Sequence, residues 1–290
     1  MATIKIENLI KSYGSKKVLD NINLTIVENK IYGLLGRNGA GKTTLLNLIN
    51  NRIFPTGGTI KIDDKDILNN TEITSKIYFM NEKCLYPEGF KIKEVFKWTK
   101  EFYDNFDLDY ALKLSEKFGL NINKKIKELS TGYLSICKII VSLSSNAEVL
   151  IFDEPILGLD ANHREMFYKE LIENYIDSPK TIIISTHIIE EISDILEKVL
   201  IIKDGKIITD NEIDELKENA YVVSGKDENV MKYIENKRCI NVEGISGYKS
   251  ATICGKVEEL EAKEIENLDL TLNKVELQKL FIHLTSEGGR

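Results

Sequence analysis

One short segment constrains the fold of this 290-residue chain more than any other. Residues 36–43 read Gly-Arg-Asn-Gly-Ala-Gly-Lys-Thr, which fits the pattern GxxxxGK[ST]. Residues 30–35 before it, which are mainly apolar, predict a short buried strand, and the run TTLLNLINN after it has the apolar spacing of a helix. At ordinary glycine usage, a chance match in a chain of this length is on the order of one per cent. The segment therefore predicts a phosphate-binding loop between a strand and a helix.

The chemistry of such a loop indicates a nucleotide as its ligand. Consecutive backbone N–H groups and the positive end of the following helix form a cavity for phosphate oxygens. We expect Lys42 to reach the β- and γ-phosphates and the Thr43 hydroxyl to bind Mg²⁺. The nucleotide-binding residues predicted in this segment are Gly36, Asn38, Gly39, Ala40, Gly41, Lys42, Thr43 and Thr44.

A second segment, 149–154, is an apolar strand that ends in two acids, VLIFDE. At the carboxyl edge of a parallel sheet, beside a phosphate loop, the first carboxylate can hold magnesium and the second can polarise an attacking water. We therefore predict Asp153 as a metal ligand and Glu154 as a catalytic residue.

The order of apolar segments predicts an α/β fold with two domains. Strand patterns open the chain, a stretch of about 83–147 is dominated by helical periodicity, and the strands VLIFD, TIIIS and VLIIKDGKII follow. Helical segments predicted at 162–175 and 188–195 separate these strands, which indicates a mostly parallel sheet with helices on both faces. A charged stretch near 212–219 suggests a boundary, so we predict one domain over 1–218, which contains the phosphate-binding loop, and a small α+β accessory domain over 219–290.

Composition excludes several classes of protein. The net charge of −7 argues against a main role in gripping nucleic acid, which needs a basic surface. The longest apolar runs are far shorter than the roughly 20 residues needed to span a bilayer, and the amino terminus lacks a signal-peptide pattern. We expect a protein that stays inside the cell, with its four isolated cysteines as reduced thiols: Cys84, Cys137, Cys239 and Cys254.

Residues 129–133, Leu-Ser-Thr-Gly-Tyr, lie between the two segments and resemble the LSGGQ signature of the ATPase subunits of ABC transporters. Leu129, Ser130 and Gly132 match that signature, whereas Thr131 and Tyr133 depart from it.

Further matches follow the motif order of the same family. Pro155 and the segment 158–160 (Gly-Leu-Asp) match its D-loop, and His187, after the strand TIIIS, matches its switch histidine. Tyr13, before the second strand, matches the aromatic residue that stacks on adenine. The segments LSTGYLSICKIIVSL and DEPILGLDANHREMFY look especially like the YtrB-type subfamily.

The resemblance, over about 3–210, implies a P-loop NTPase fold in which a mostly parallel sheet carries an antiparallel β subdomain and a helical insert. It implies a head-to-tail dimer, either a homodimer or a heterodimer with a paralogous ATPase, with ATP and Mg²⁺ sandwiched between the subunits. Ser130 and the N–H of Gly132 would then reach the γ-phosphate bound by the other subunit. Glu154 would align or deprotonate water, and His187 would contact the γ-phosphate.

The family's Q-loop glutamine is replaced here. When residues 77–80 (IYFM) are aligned with the preceding strand, Asn81 falls at its position and Glu82 follows. Asparagine keeps the carboxamide but is one methylene shorter, so it would reach the magnesium shell less directly or through a water. We predict Asn81 as a metal contact, with Glu82 as its possible substitute.

The family resemblance predicts an ATP-binding subunit that hydrolyses ATP to drive solute export through separate membrane permease subunits. Such a subunit is cytoplasmic and peripheral on the inner face of the membrane, and no nucleic acid partner is expected. Export is inferred from residues 275–285, which resemble the terminal helix of export-type members. Two other hypotheses are a soluble ABC ATPase of the cofactor-assembly type and a nucleotide switch with low turnover.

Overall fold

The computed structural model of the chain describes residues 2–68 and 70–285. The chain divides into two compact units, of which the first comprises Met1–His187 with Leu200–Thr209 and the second Ile188–Val199 with Asp210–Arg290. The domain boundary predicted near 218 falls inside the second unit, at the end of a short helix, and stays a prediction about which part folds on its own.

Up to residue 212 the strands and helices follow the predicted order with two exceptions: the segment 188–195 is not a helix, and the single strand predicted for VLIIKDGKII is two strands separated by a turn at Asp204 and Gly205. In chain order they are β1 (Ile4–Tyr13), β2 (Lys16–Ile26), β3 (Ile31–Leu35), α1 (Lys42–Ile49), β4 (Gly57–Ile62), β5 (Lys65–Asp66), α2 (Thr71–Thr74), β6 (Ile77–Met80), α3 (Ile92–Phe102), α4 (Leu108–Lys117), α5 (Thr131–Ser144), β7 (Val149–Asp153), α6 (Ala161–Asp177), β8 (Thr181–Thr186), β9 (Lys198–Lys203) and β10 (Lys206–Glu212).

The central sheet has six strands in the order β10-β9-β3-β8-β7-β6. β3, β8, β7 and β6 pair in parallel, and every residue of these four strands is buried. Strands buried on both faces read as continuous apolar runs, which is why the segments VLIFD and TIIIS lack alternation. Parallel pairing brings the carboxyl ends of β3, β7 and β8 to one edge, where Leu35 pairs with Thr186 and Asp153 with Ser185.

A second, antiparallel sheet has the order β2-β1-β4-β5. Its alternating apolar side chains, such as Ile4, Ile6 and Leu24, share one core with α1 and one face of the central sheet. The predicted mostly parallel sheet with an antiparallel β subdomain is therefore confirmed.

The predicted helical insert is also confirmed, since α3, α4 and α5 all lie within it. Ser130 begins α5, because its Oγ accepts a hydrogen bond from the N–H of Tyr133 at 3.3 Å. Within 2–68 and 70–285, the helices all fall short of the length and apolar character that crossing a bilayer requires.

The helix predicted at 188–195 is wrong. This segment is a series of turns in which the N–H of Ile192 bonds to the carbonyl of Ile189, and the N–H of Ile195 to that of Ile192. The apolar spacing that suggested a helix places Ile189 and Ile192 in buried positions, and i to i+3 turns satisfy the same spacing.

The second unit contains a split β-α-β module. Its elements are α7 (Ile213–Glu218), β11 (Ala220–Lys226), α8 (Asp227–Ile234), β12 (Cys239–Ile245), β13 (Tyr248–Cys254), α9 (Glu259–Asn267), β14 (Thr271–Lys274) and α10 (Leu277–Thr285). The antiparallel sheet has the order β12-β13-β11-β14, which is the ferredoxin-like arrangement. Alternation along β11 buries Tyr221 and Val223 against α8 and α9, whereas Ala220 packs with Leu280 of α10 on the other face. The predicted small α+β module is confirmed.

Phe152 is fully buried on β7, and its ring lies 5.6 Å from that of Phe167. Substitution of Phe152 measures how much this aromatic packing stabilises the central sheet. We expect Phe152→Ala to lower the free energy of unfolding by about 3–5 kcal/mol, because it leaves a cavity in a packed interior. Phe54→Ala, at a side chain that is 63% exposed, should change it by less than about 0.5 kcal/mol. Urea unfolding followed by the emission of Trp98, the single tryptophan, measures both variants; equal midpoints would contradict the expectation.

Candidate functional site

The loop 36–41 connects β3 to α1 and ends in a residue that must be glycine. Gly41 begins α1 with φ of 113°, and a Cβ there would lie 2.7 Å from the Cδ2 of Leu19. The backbone of Gly205 braces the loop, since its N–H donates to the carbonyl of Ala40 at 3.2 Å. The first N–H groups of α1 are thereby held at the carboxyl edge of the parallel strands, as the sequence predicts.

Lys42 is buried although it carries a charge. Its side chain is 7% exposed; the Nζ donates to the carbonyl of Gly36 at 2.6 Å and lies 3.8 Å from the Oε1 of Glu154. Burial lowers the pKa of Lys42, and the negative charges of Glu154 and Asp153 oppose that shift. The ammonium therefore lies among acceptors that the phosphates of a ligand could replace.

Asp153 is the last residue of β7, and its two carboxylate oxygens differ in their hydrogen bonding. Its Oδ1 accepts a hydrogen bond from the Oγ of Ser185, the paired residue on β8, at 2.5 Å. Its Oδ2 is buried and has no hydrogen-bond partner among the residues that the structure describes. An unpaired buried carboxylate oxygen beside a phosphate loop suits a divalent cation such as Mg²⁺, which prefers oxygen ligands. The donor set therefore fits that metal.

Glu154 has an unusual backbone that turns it away from the strand. Its φ is 49°, in the left-handed region, which costs a residue other than glycine on the order of 1–3 kcal/mol. The N–H of Glu154 donates to the carbonyl of Ser185 at 3.1 Å, and its Oε2 lies 3.0 Å from the Nδ1 of His187. The two acids therefore have different surroundings, because Asp153 is buried in the sheet whereas Glu154 faces Lys42 and His187.

Lys42, Glu154 and His187 border one cavity of about 830 Å³, a size suited to a small organic ligand. Its lining residues are Lys16, Lys17, Val18, Arg37, Asn38, Gly39, Gly41, Lys42, Thr43, Thr44, Glu82, Glu154, Leu157, His187, Asp204 and Gly205. Cationic side chains outnumber acidic ones there, as binding of a polyphosphate requires. Most of the predicted loop residues and the predicted catalytic pair thus lie around a single cavity.

Seven predicted residues are not part of this lining: Gly36, Ala40, Asp153, Tyr13, Asn81, Ser130 and Gly132. Tyr13 is 52% exposed at the end of β1, with the Nζ of Lys11 4.9 Å from its ring centroid. Asn81 borders a different groove, beside α3 and β6. Its Oδ1 accepts a hydrogen bond from the N–H of Lys83 at 2.9 Å. Ser130 borders a separate cavity of about 310 Å³.

The signature segment packs against the segment after Glu154. A Cβ on Gly132 would lie only 2.6 Å from the carbonyl oxygen of Gly158, so any side chain there would push the two segments apart. Ser135 adds a hydrogen bond from its Oγ to the carbonyl of Leu157 at 2.8 Å. The start of α5 and the loop 155–160 therefore form one surface.

The sequence reasoning missed a groove of about 260 Å³ beside α3 and β6, which we call the aromatic groove. Its lining residues are Asn50, Arg52, Tyr78, Phe79, Met80, Asn81, Lys83, Leu85, Tyr86, Trp98, Thr99, Phe102, Tyr103 and Lys138. The Arg52 guanidinium lies 4.9 Å from the Phe79 ring centroid, and the lining includes three cations and no acid. The i, i+4 spacing of Trp98 and Phe102 was the available signal, since both side chains are exposed on one helix.

Comparison with known proteins supports one family. The family model described as ABC transporter matches residues 19–157. YtrB, an ABC transporter ATP-binding protein of Bacillus subtilis, is 30% identical over 215 residues, which cover 74% of this chain and 74% of YtrB. SrtF, a lantibiotic transport ATP-binding protein of Streptococcus pyogenes, is 32% identical over 73% of this chain and 91% of its own length.

A solved structure gives the same result. The dimeric post-hydrolysis state of the ATP-binding cassette MJ0796, bound to ADP and Pi, is 26% identical to this chain with a TM-score of 0.64. The alignment covers 72% of this chain and 98% of that one. Together the comparisons confirm the resemblance to ABC ATPases, YtrB included, and the predicted fold.

Lys42 tests the assignment of the cavity to a nucleotide. We expect Lys42→Met to weaken Mg-ATP binding about 10- to 100-fold, because a charge-assisted hydrogen bond contributes about 1.5–3 kcal/mol. The same substitution at the exposed Lys65 makes a matched control and should leave the affinity unchanged. Isothermal titration calorimetry measures both, and wild-type affinity in Lys42→Met would show that the cavity binds something else.

Proposed function

This chain belongs to the family of ATP-binding subunits of ABC transporters, and we propose that it acts in a head-to-tail dimer that drives solute export through separate membrane permease subunits. Proteins of this family are ATPases that bind ATP. The observation that carries the dimer proposal is that Ser130 borders one cavity and Lys42 another. A second subunit, identical or paralogous, would supply Ser130 and the N–H of Gly132 to the γ-phosphate held by the first.

We propose that Thr43 and Asp153 hold Mg²⁺ beside the phosphates. The unpaired, buried Oδ2 of Asp153 and the position of Thr43 in the cavity lining support this assignment. When bound, the cation would neutralise part of the negative charge that phosphoryl transfer develops. The hydrogen bond from Ser185 fixes the other oxygen of Asp153, so that the carboxylate is oriented before any ligand arrives.

In the proposed hydrolysis, Glu154 accepts a proton from water as the water oxygen forms a bond to the γ-phosphorus. The bond between that phosphorus and the β–γ bridging oxygen breaks, and ADP leaves. The Nδ1 of His187 lies 3.0 Å from the Oε2 of Glu154, and the other ring nitrogen, Nε2, would face the γ-phosphate. Lys42 stabilises the charge on the transferred group.

For the Q-loop contact we propose Glu82 rather than Asn81 as the side chain nearest the phosphates. Glu82 borders the nucleotide cavity, whereas the Asn81 carboxamide oxygen already accepts a hydrogen bond from Lys83. We propose that Tyr13 stacks on adenine at the edge of the cavity near Lys16, which follows it closely in sequence. The exposure of its ring supports that role, since a stacking surface must be accessible.

We propose that a cytoplasmic helix of the permease docks in the aromatic groove, so that the chain lies on the inner face of the membrane. The groove offers aromatic rings and the cations Arg52, Lys83 and Lys138, which complement a helix with apolar and acidic side chains. Export follows from the resemblance of residues 275–285 to the closing helix of export-type members. The cofactor-assembly hypothesis is not favoured, because the matched relatives are named as transport proteins.

Glu154→Gln tests the catalytic proposal. We expect steady-state hydrolysis to fall about 10²- to 10⁴-fold, the usual contribution of a general base, while ATP still binds. Light scattering in Mg-ATP should then detect a stable dimer, because the bound ATP that bridges the two subunits is no longer cleaved. Glu72→Gln, at an exposed acid, is the matched control. Unchanged turnover in Glu154→Gln, or a monomer in Mg-ATP, would contradict the mechanism.

Phe102→Glu tests the permease contact. We expect it to abolish co-purification with the proposed permease subunits, because a carboxylate would replace a ring of the aromatic groove and repel an acidic helix. Phe54→Glu places the same charge on an exposed site outside the groove and should co-purify normally. Equal recovery of the two variants would show that the permease docks elsewhere.

A further inference from the structure

Lys138 is a buried cation that joins two functional segments. It lies on α5, the helix that begins at the signature residue Ser130, and its side chain is 8% exposed. Its Nζ donates to the carbonyl oxygens of Glu82 at 2.8 Å and Asn81 at 3.1 Å. The ammonium of Lys138 therefore fixes the backbone of the segment after β6 to α5.

The two residues held by Lys138 face different cavities. Glu82 borders the nucleotide cavity, whereas Asn81 and Lys138 itself border the aromatic groove. A movement of Glu82 toward bound phosphates would therefore displace the ammonium of Lys138, which lines the aromatic groove. Conversely, an acidic group in the groove would compete for the same ammonium.

The chemistry of the ammonium supports such a role. An ammonium has three N–H donors, and among the described residues the carbonyls of Asn81 and Glu82 accept two hydrogen bonds from it, which leaves one donor for a further acceptor. Burial lowers the pKa of Lys138, because removing an ammonium from water is unfavourable. Backbone carbonyls carry partial charge only, and a carboxylate would be a stronger partner.

We propose that Lys138 is the positioning residue that couples the nucleotide cavity to the aromatic groove, by holding the backbone of residues 81–82 and offering its remaining N–H to an acidic side chain of the permease. The coupling rests on the proposed function, because it requires ATP in the first cavity and a permease helix in the second. The sequence departs from the family's glutamine at this point, and Lys138 fixes the main chain of the replaced segment.

Trp98 makes the coupling measurable in the full-length chain alone. It is the single tryptophan and borders the aromatic groove with Lys138, so its emission reports on the groove wall. We expect saturating Mg-ATP to change the emission of Trp98 in the wild type. In Lys138→Met, which keeps the length but removes the donors, the change should be lost; in Lys138→Arg, which keeps charge and donors, it should persist.

Kinetics separate positioning from folding. We expect Lys138→Met to bind ATP within about threefold of the wild type. Its kcat should fall about 10- to 100-fold with KM nearly unchanged, because a misplaced Q-loop segment acts on the reaction and not on binding. Lys138→Arg should recover most of that loss. If Lys138→Met fails to fold, as its circular dichroism would show, Lys138→Leu, which also lacks donors, replaces it with the same expectations.

The outcomes distinguish the two proposals. ATP binding and turnover with the same Trp98 response in wild type and Lys138→Met would overturn the coupling role and leave the ATPase function intact. A wild type that binds ATP without any Trp98 response would do the same. Absence of ATP binding in the wild type would overturn the proposed function and the coupling with it.

Discussion

The structure depends on keeping the buried charge of Lys42 satisfied. An ammonium removed from water is unfavourable by several kcal/mol unless acceptors surround it. Here Gly36 contributes its carbonyl from the loop after β3, and Glu154 contributes its carboxylate from the end of β7. These groups meet only because β3, β8 and β7 are parallel and in register, so their carboxyl ends share one edge. The buried charge of Lys42 can therefore be accommodated only with this order of strands.

The same edge separates the roles of two adjacent acids. Asp153 still belongs to β7 and lies in the buried sheet against Ser185, whereas the positive φ of Glu154 turns the next side chain toward Lys42 and His187. Without that turn, alternation along a strand would place consecutive side chains on opposite faces of the sheet. The different surroundings of the two neighbouring carboxylates suit the two roles proposed for them, metal binding by Asp153 and proton acceptance by Glu154.

What the sequence predicted well was local. The segments 36–43 and 149–154 contain both the strand signal and the polar groups at its end, so their meeting follows from parallel pairing alone. The predictions failed where a contact joins residues that are far apart in the sequence, or where the spacing of apolar residues fits two kinds of local structure. Isoleucines at 189 and 192 suit turns as well as a helix, and the contact of Lys138 with residues 81–82 depends on how α5 packs beside β6. Likewise, the aromatic groove combines side chains from four separate segments, which no single window of sequence reveals.

The left-handed backbone of Glu154 sets the stability of the fold against the catalytic role proposed for this side chain. Glycine would adopt the same φ without steric cost, so the chain as it stands forgoes a stabilisation on the order of 1 kcal/mol. A search for more heat-resistant variants would favour glycine at this site and discard the carboxylate that faces His187. Selection for stability alone would therefore remove the side chain proposed to accept the proton from water, which makes this position a poor choice for improvement by thermostability screening.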